Sequence, residues 1–119
     1  MEKILIYQVK EKEELKRLSA PMKIRLEEIA AADLRQSVGN LADGKKNVLT
    51  VPFTGDAPKE SLMVFCNVSE KHMDKILFTL RQKNIGIDYK AVLTPTNKTW
   101  TILALLLELG REKQGIKLR

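Results

Sequence analysis

Four short apolar runs, separated by helical patterns, constrain the fold of this chain more than any other feature of its sequence. The runs lie near residues 3–9, 24–29, 61–67 and 89–94. Between the first and second runs, and again between the third and fourth, apolar residues recur at helical spacing. The pattern therefore predicts two strand–helix–strand units, in which the two strands are almost always parallel.

These units predict an α/β fold with a small four-stranded, mainly parallel sheet and helices on both faces. The same order of elements also fits a ferredoxin-like α+β fold. The first and third runs are almost continuously apolar, which is typical of strands covered on both faces and favours the mainly parallel sheet. We find no internal repeat in the sequence.

The length predicts one domain spanning residues 1–119, with a long loop at about 44–60 and a basic tail at 111–119. Three caps are expected for the later helices. Asp33 caps a short helix that ends near Leu41, Ser69 caps the helix after the third strand, and Thr96 or Asn97 caps a long last helix.

Charge and cysteine content limit the classes of function. The net charge is +6, and most of the basic excess follows residue 60. Cys66 is the only cysteine and lies within an apolar run, so it is predicted to be a buried structural thiol. No run has the length of a signal peptide or a membrane span, and we therefore expect a cytoplasmic protein without a membrane partner.

The sequence offers little for catalysis. His72 is the only histidine and is predicted to be exposed, beside the apolar stripe of its helix. One cysteine and one histidine do not make a zinc site, and no glycine-rich phosphate loop is present. We therefore predict no metal, no cofactor and no catalytic residues, and the sequence favours a binding protein over an enzyme.

Polar residues follow the third and fourth strands, where a parallel unit brings two carboxyl ends to one edge of the sheet. Ligands of open α/β sheets bind at such edges, and helix N-termini attract anions. In a fully parallel sheet Gln8 would join this edge. The sequence thus predicts a site for a small polar or anionic ligand formed by Asn67, Ser69, Thr94, Thr96 and Asn97.

The last helix carries two apolar stripes, although a surface helix needs only one. We predict that the stripe containing Trp100 and Leu103 faces the core. The second stripe is then expected to cover a partner, which makes the protein a homo-oligomer through its C-terminal helix. The predicted interface residues are Ile102, Leu105 and Leu109.

The segment from Lys90 to Trp100, with the sequence KAVLTPTNKTW, resembles a family of short bacterial proteins known only as a domain of unknown function. The strand from Leu62 to Phe65 and a Gln-x-x-Gly turn from Gln36 to Gly39 are similar to it as well. The resemblance extends to about Leu109 and excludes the long loop and the tail. It implies a bacterial, cytoplasmic domain and no particular activity.

Three functions remain open at this level. The leading hypothesis is a non-enzymatic binding or regulatory module. The first alternative is an RNA- or nucleotide-binding protein, which the low aromatic content of 5% disfavours because single-stranded nucleic acids bind by base stacking. The second alternative is an enzyme that depends on a bound cofactor.

Overall fold

Four strands form one mixed sheet in the computed structural model, which describes residues 1–115. The strands are β1 (Lys3–Tyr7), β2 (Arg25–Glu28), β3 (Leu62–Cys66) and β4 (Tyr89–Val92), in the spatial order β2-β1-β3-β4. The pairs β1–β2 and β3–β4 are parallel, and the central pair β1–β3 is antiparallel. The predicted α/β fold with a four-stranded, mainly parallel sheet is confirmed, and the ferredoxin-like alternative is wrong.

The helices are α1 (Lys12–Ser19), α2 (Val38–Ala42), α3 (Glu70–Gln82) and α4 (Ile102–Gly115), with short 3-10 helices at Ala20–Met22 and Ala31–Arg35. Residues 111–115 of the predicted basic tail continue α4, and residues 116–119 lie outside the described part. No helix within residues 1–115 has the length and apolarity needed to cross a membrane.

The described chain divides into two compact units. The first unit contains residues 1–29 and 59–93, and the second contains residues 30–58 and 94–115. In the first unit, alternate residues of β1 and β3 point to α1 and α3 and form the core with them. Its strand and helix residues include Ile4, Ile6, Met63, Phe65, Leu15, Ile76 and Leu80.

Leu5 and Val64 point to the other face of the sheet and are fully buried as well. Both faces of the central strands are therefore covered, as their continuous apolar sequences predict.

The second unit is centred on one antiparallel bridge between Ser37 and Thr101. The N–H of Val38 donates to the carbonyl of Trp100 at 2.9 Å, and the N–H of Ile102 donates to the carbonyl of Gln36 at 3.0 Å. The bridge joins the segment that leads into α2 to the segment that leads into α4. The 3-10 helix Ala31–Arg35 packs against α4.

Two predicted helix caps are wrong. Ser37 rather than Asp33 caps α2, since its Oγ accepts the N–H of Asn40 at 3.1 Å. Thr101 rather than Thr96 or Asn97 caps α4, since its Oγ1 accepts the N–H of Ala104 at 3.0 Å. In both places the Ser37–Thr101 bridge requires extended backbone, so the helix begins immediately after the bridge.

Gly39 provides a test of this packing. A Cβ atom added to Gly39 would lie 2.8 Å from the carbonyl oxygen of Lys98, whereas one added to Gly86 would meet nothing within 4 Å. We expect Gly39→Ala to lower the free energy of unfolding by about 1–3 kcal/mol, the usual cost of overpacking. The control Gly86→Ala is expected to change it by less than about 1 kcal/mol. Urea unfolding of both variants measures the difference, and equal effects would contradict the close approach.

Candidate functional site

The direction of the strands decides which polar groups share an edge of the sheet. Because β3 and β4 are parallel with Leu62 opposite Tyr89, their carboxyl ends lie at the same edge. Because β1 runs antiparallel to β3, Gln8 lies at the opposite edge and Glu2 lies near the end of β3. Gln8 therefore does not join the predicted ligand site, as it would in a fully parallel sheet.

At the start of α3, three side chains form one hydrogen-bonded group. The Ser69 Oγ accepts the N–H of His72 at 3.2 Å, which confirms Ser69 as the helix cap. The N–H of Ser69 donates to Glu2 Oε2 at 2.6 Å. His72 Nδ1 lies 2.8 and 2.9 Å from the two carboxylate oxygens of Glu2. A carboxylate of the chain itself thus lies where an external anion was predicted to bind.

This arrangement corrects the prediction for His72 and adds a residue that the sequence did not indicate. His72 is half-buried and paired with Glu2 rather than exposed. Glu2 is 67 residues from Ser69 in the chain, and only the antiparallel direction of β1 brings the two together. Nothing in the local sequence around Glu2 distinguishes it from other surface glutamates.

The pKa of Glu2 is lowered from its ordinary value of 4.5, chiefly because its carboxylate accepts the backbone N–H of Ser69. Desolvation opposes this shift of the pKa. The hydrogen bond and the charge of His72 reinforce it. The carboxylate is therefore held in its ionised form, as is usual for an acidic group at a helix N-terminus.

The other predicted ligand residues lie in the second unit and form a turn. The N–H of Thr94 donates to Asn97 Oδ1 at 2.9 Å, and the N–H of Asn97 donates to Thr94 Oγ1 at 3.1 Å. Asn97 is buried, while Thr96 is exposed. Since α4 begins only at Ile102, Thr96 and Asn97 do not lie at a helix N-terminus.

Ser69, Thr94 and Asn97 thus use their polar groups within the chain, and Asn67 is exposed after the last residue of β3. Ligand binding by any of these residues stays a prediction. Cys66 is fully buried, as predicted for a structural thiol. Within residues 1–115, no three His, Cys, Asp or Glu side chains lie close enough to hold a metal ion.

The long loop of the second unit contains a feature that sequence reasoning missed. Gln36 is buried and binds the backbone of Asn47 twice, donating from Nε2 to its carbonyl at 3.0 Å and accepting its N–H at Oε1 at 2.9 Å. Further along the loop, the N–H of Phe53 donates to the carbonyl of Ala32 at 3.0 Å. Lys46 also pairs with Asp33 at 2.7 Å.

Between these anchors the chain makes a tight turn from Asn47 to Thr50. The N–H of Thr50 donates to the carbonyl of Asn47 at 3.1 Å, and the N–H of Leu49 donates to Asn47 Oδ1 at 3.0 Å. The two central residues, Val48 and Leu49, are 92% and 87% exposed. Such positions are usually occupied by Gly, Pro, Asn, Asp or Ser, so apolar side chains here are unusual.

The predicted interface on the last helix needs a correction. Ile102 and Leu105 are buried within the chain, and Leu109 is partly exposed. The large exposed residue of α4 is Leu107, at 61%. The two stripes are similarly apolar, so their hydrophobicity alone did not indicate which one faces the core.

The Glu2 contact predicts a pH dependence of stability. Since the pKa of Glu2 is lower in the folded state, its contribution to stability is complete above about pH 4.5 and is lost as the pH falls through the folded-state pKa. We expect Glu2→Gln to lower the melting temperature at pH 7 and to match the wild type at the lowest pH at which both fold. The control Glu13→Gln, at an exposed position, should cost little at any pH. A difference for Glu2→Gln that is the same at every pH would contradict this assignment.

Comparison with known proteins finds one family. Residues 61–115 match the model of a domain of unknown function (DUF3783), and the first half of the chain lies outside the match. No curated protein and no solved structure shows significant similarity to the chain. The predicted resemblance to a domain of unknown function is confirmed for the second half, since residues 61–115 of this chain match DUF3783.

Proposed function

We propose that this protein is a non-enzymatic binding module that acts by contact with another protein, and that the contact element is the turn from Asn47 to Thr50. The observation that carries the proposal is the exposure of Val48 and Leu49 on a turn whose backbone is fixed by Gln36. A small ligand at the edge of the sheet is not part of the proposal, because the groups there are hydrogen-bonded within the chain.

The fixed backbone matters for the energetics of binding. A flexible loop loses conformational entropy when it binds, whereas a turn that is already ordered loses less. Covering a Val or Leu side chain contributes roughly 1.5–3 kcal/mol. The two tip residues together therefore support a contact of modest strength, as expected for a regulatory interaction that forms and dissociates.

A second copy of the chain is the first partner that we consider, because two-fold homodimers are the commonest assemblies. Self-association through α4, as proposed from the sequence, would now use Leu107 rather than Ile102 and Leu105. Leu103 lies one turn earlier on the same side of the helix and is partly exposed. Leu107 and the turn at 47–50 both belong to the second unit.

The proposal includes a cytoplasmic location in a bacterium, which rests on the family resemblance and on the single cysteine. The RNA-binding alternative is supported by the net charge of +6 alone. The proposal and this alternative differ in the molecule that touches Val48 and Leu49.

Site-specific photo-cross-linking tests this directly. A benzophenone amino acid replaces Leu49 in the full-length protein in its host cells, and the control carries it at Gln82, an exposed residue of α3. We expect one discrete protein adduct from position 49 that position 82 does not give. Adding Val48→Ser to the same chain should reduce the adduct several-fold.

The mass of the adduct identifies the partner. An adduct of twice 13.5 kDa indicates a second copy, and any other discrete mass indicates a different protein. The same adducts from both positions, or none from position 49, would contradict the proposal. An adduct that disappears on nuclease treatment would also contradict it and support the RNA-binding alternative.

A further inference from the structure

We infer that the chain consists of two copies of one structural repeat, and that the surface through which the copies pair fits a second copy of the same repeat. The first repeat runs from about residue 2 to 42 and the second from about residue 61 to 106. This inference is independent of the proposed function. It also corrects the expectation of no internal repeat.

The central strands correspond with a shift of 59 residues. β1 (Lys3–Tyr7) and β3 (Leu62–Cys66) each have five residues, all buried. Each strand is followed by a residue with a left-handed backbone, Gln8 at φ 54° and Asn67 at φ 59°. Non-glycine residues seldom adopt this conformation, so its occurrence at matching positions is informative.

The ends of the following helices also correspond. In the first repeat, Lys23 has φ 58°, and the N–H of Ile24 donates to the carbonyl of Ser19 at 3.2 Å. In the second repeat, Asn84 has φ 53°, and the N–H of Ile85 donates to the carbonyl of Leu80 at 2.9 Å. The shift is now 61 residues, because the helical segment of the second repeat is longer.

The outer strands join the sheet in the same way. At their starts, the N–H of Arg25 donates to the carbonyl of Glu2 at 3.1 Å and that of Tyr89 donates to the carbonyl of Ser61 at 3.0 Å. Just beyond their ends, the N–H groups of Ile29 and Leu93 donate to the carbonyls of Ile6 and Phe65, respectively, at 2.7 and 2.9 Å. The donors differ by 64 residues and the acceptors by 59, so both connections are equivalent. Residues 86–88 account for the additional difference.

The helices that end the repeats begin alike. Ser37 caps α2 by accepting the N–H three residues later, and Thr101 caps α4 in the same way. Their positions differ by 64 residues, as for the outer strands. α4 then continues for 14 residues, whereas α2 ends after five.

The pairing between the repeats is symmetric, and this identifies the partner that the surface fits. In the sheet, Leu5 lies opposite Val64, its own counterpart, in an antiparallel pair. In the second unit, Ser37 lies opposite Thr101, again its own counterpart and again antiparallel. Self-complementary pairing of this kind is the property of a two-fold interface between identical copies.

The two hydrogen bonds of the Ser37–Thr101 bridge are also exchanged by the same shift. Val38 bonds to Trp100, and Ile102 bonds to Gln36, the counterpart of Trp100. The family model gives independent support, since its match over residues 61–115 contains the second repeat and none of the first. Residues 1–58 thus occupy the place that a second copy of the matched domain would take.

The test is a full-length chain in which residues 2–42 are replaced by residues 61–106, with the native loop and second repeat retained. We expect a monomer that unfolds cooperatively. Its amide NMR spectrum should show about half as many strand peaks as the wild type, because the two repeats would have equivalent environments. A full set of strand peaks would overturn the inference.

A second variant covers failure through core packing alone. It carries Val64→Leu in the first copy only, which restores the Leu–Val pair at the centre of the sheet. Cooperative unfolding of this version, with paired peaks away from the changed residue, supports the inference. Failure of both chains to fold would overturn it.

Discussion

The antiparallel pairing of β1 with β3 is the interaction on which the other features of the structure depend. It joins two parallel strand–helix–strand units into one sheet, with Leu5 opposite Val64 at its centre. It also places Glu2, at the start of β1, beside the start of α3, and places Gln8 at the opposite edge. A parallel pairing would have collected more polar groups at one edge and left the start of α3 without this carboxylate.

The sequence predicts the four strands and the parallel direction of β3 and β4, because apolar runs and short crossovers are local signals. It does not predict the direction of β1 relative to β3, since the long connection from β2 imposes none. The caps at Ser37 and Thr101 were missed because the bridge between them forms across 64 residues. The buried stripe of α4 was misassigned because both stripes are similarly apolar.

The candidate site changes for the same reasons. The polar residues predicted to bind a ligand prove to be components of turns and caps, which Ser, Thr and Asn favour for local reasons. The unusual surface lies instead on a loop, where Gln36 fixes the backbone of Asn47 and two apolar residues occupy the tip. A hydrophobic pattern read from the sequence does not distinguish a loop residue that packs from one that is displayed.

The most direct test of this account is the direction of β1 against β3, measured from backbone nuclear Overhauser effects in the full-length protein. The antiparallel register predicts cross-strand effects between Lys3 and Cys66 and between Tyr7 and Leu62. Effects that instead connect Lys3 with Leu62 and Tyr7 with Cys66 would show a parallel pair. That result would contradict the sheet, the Glu2 contact and the symmetric pairing together.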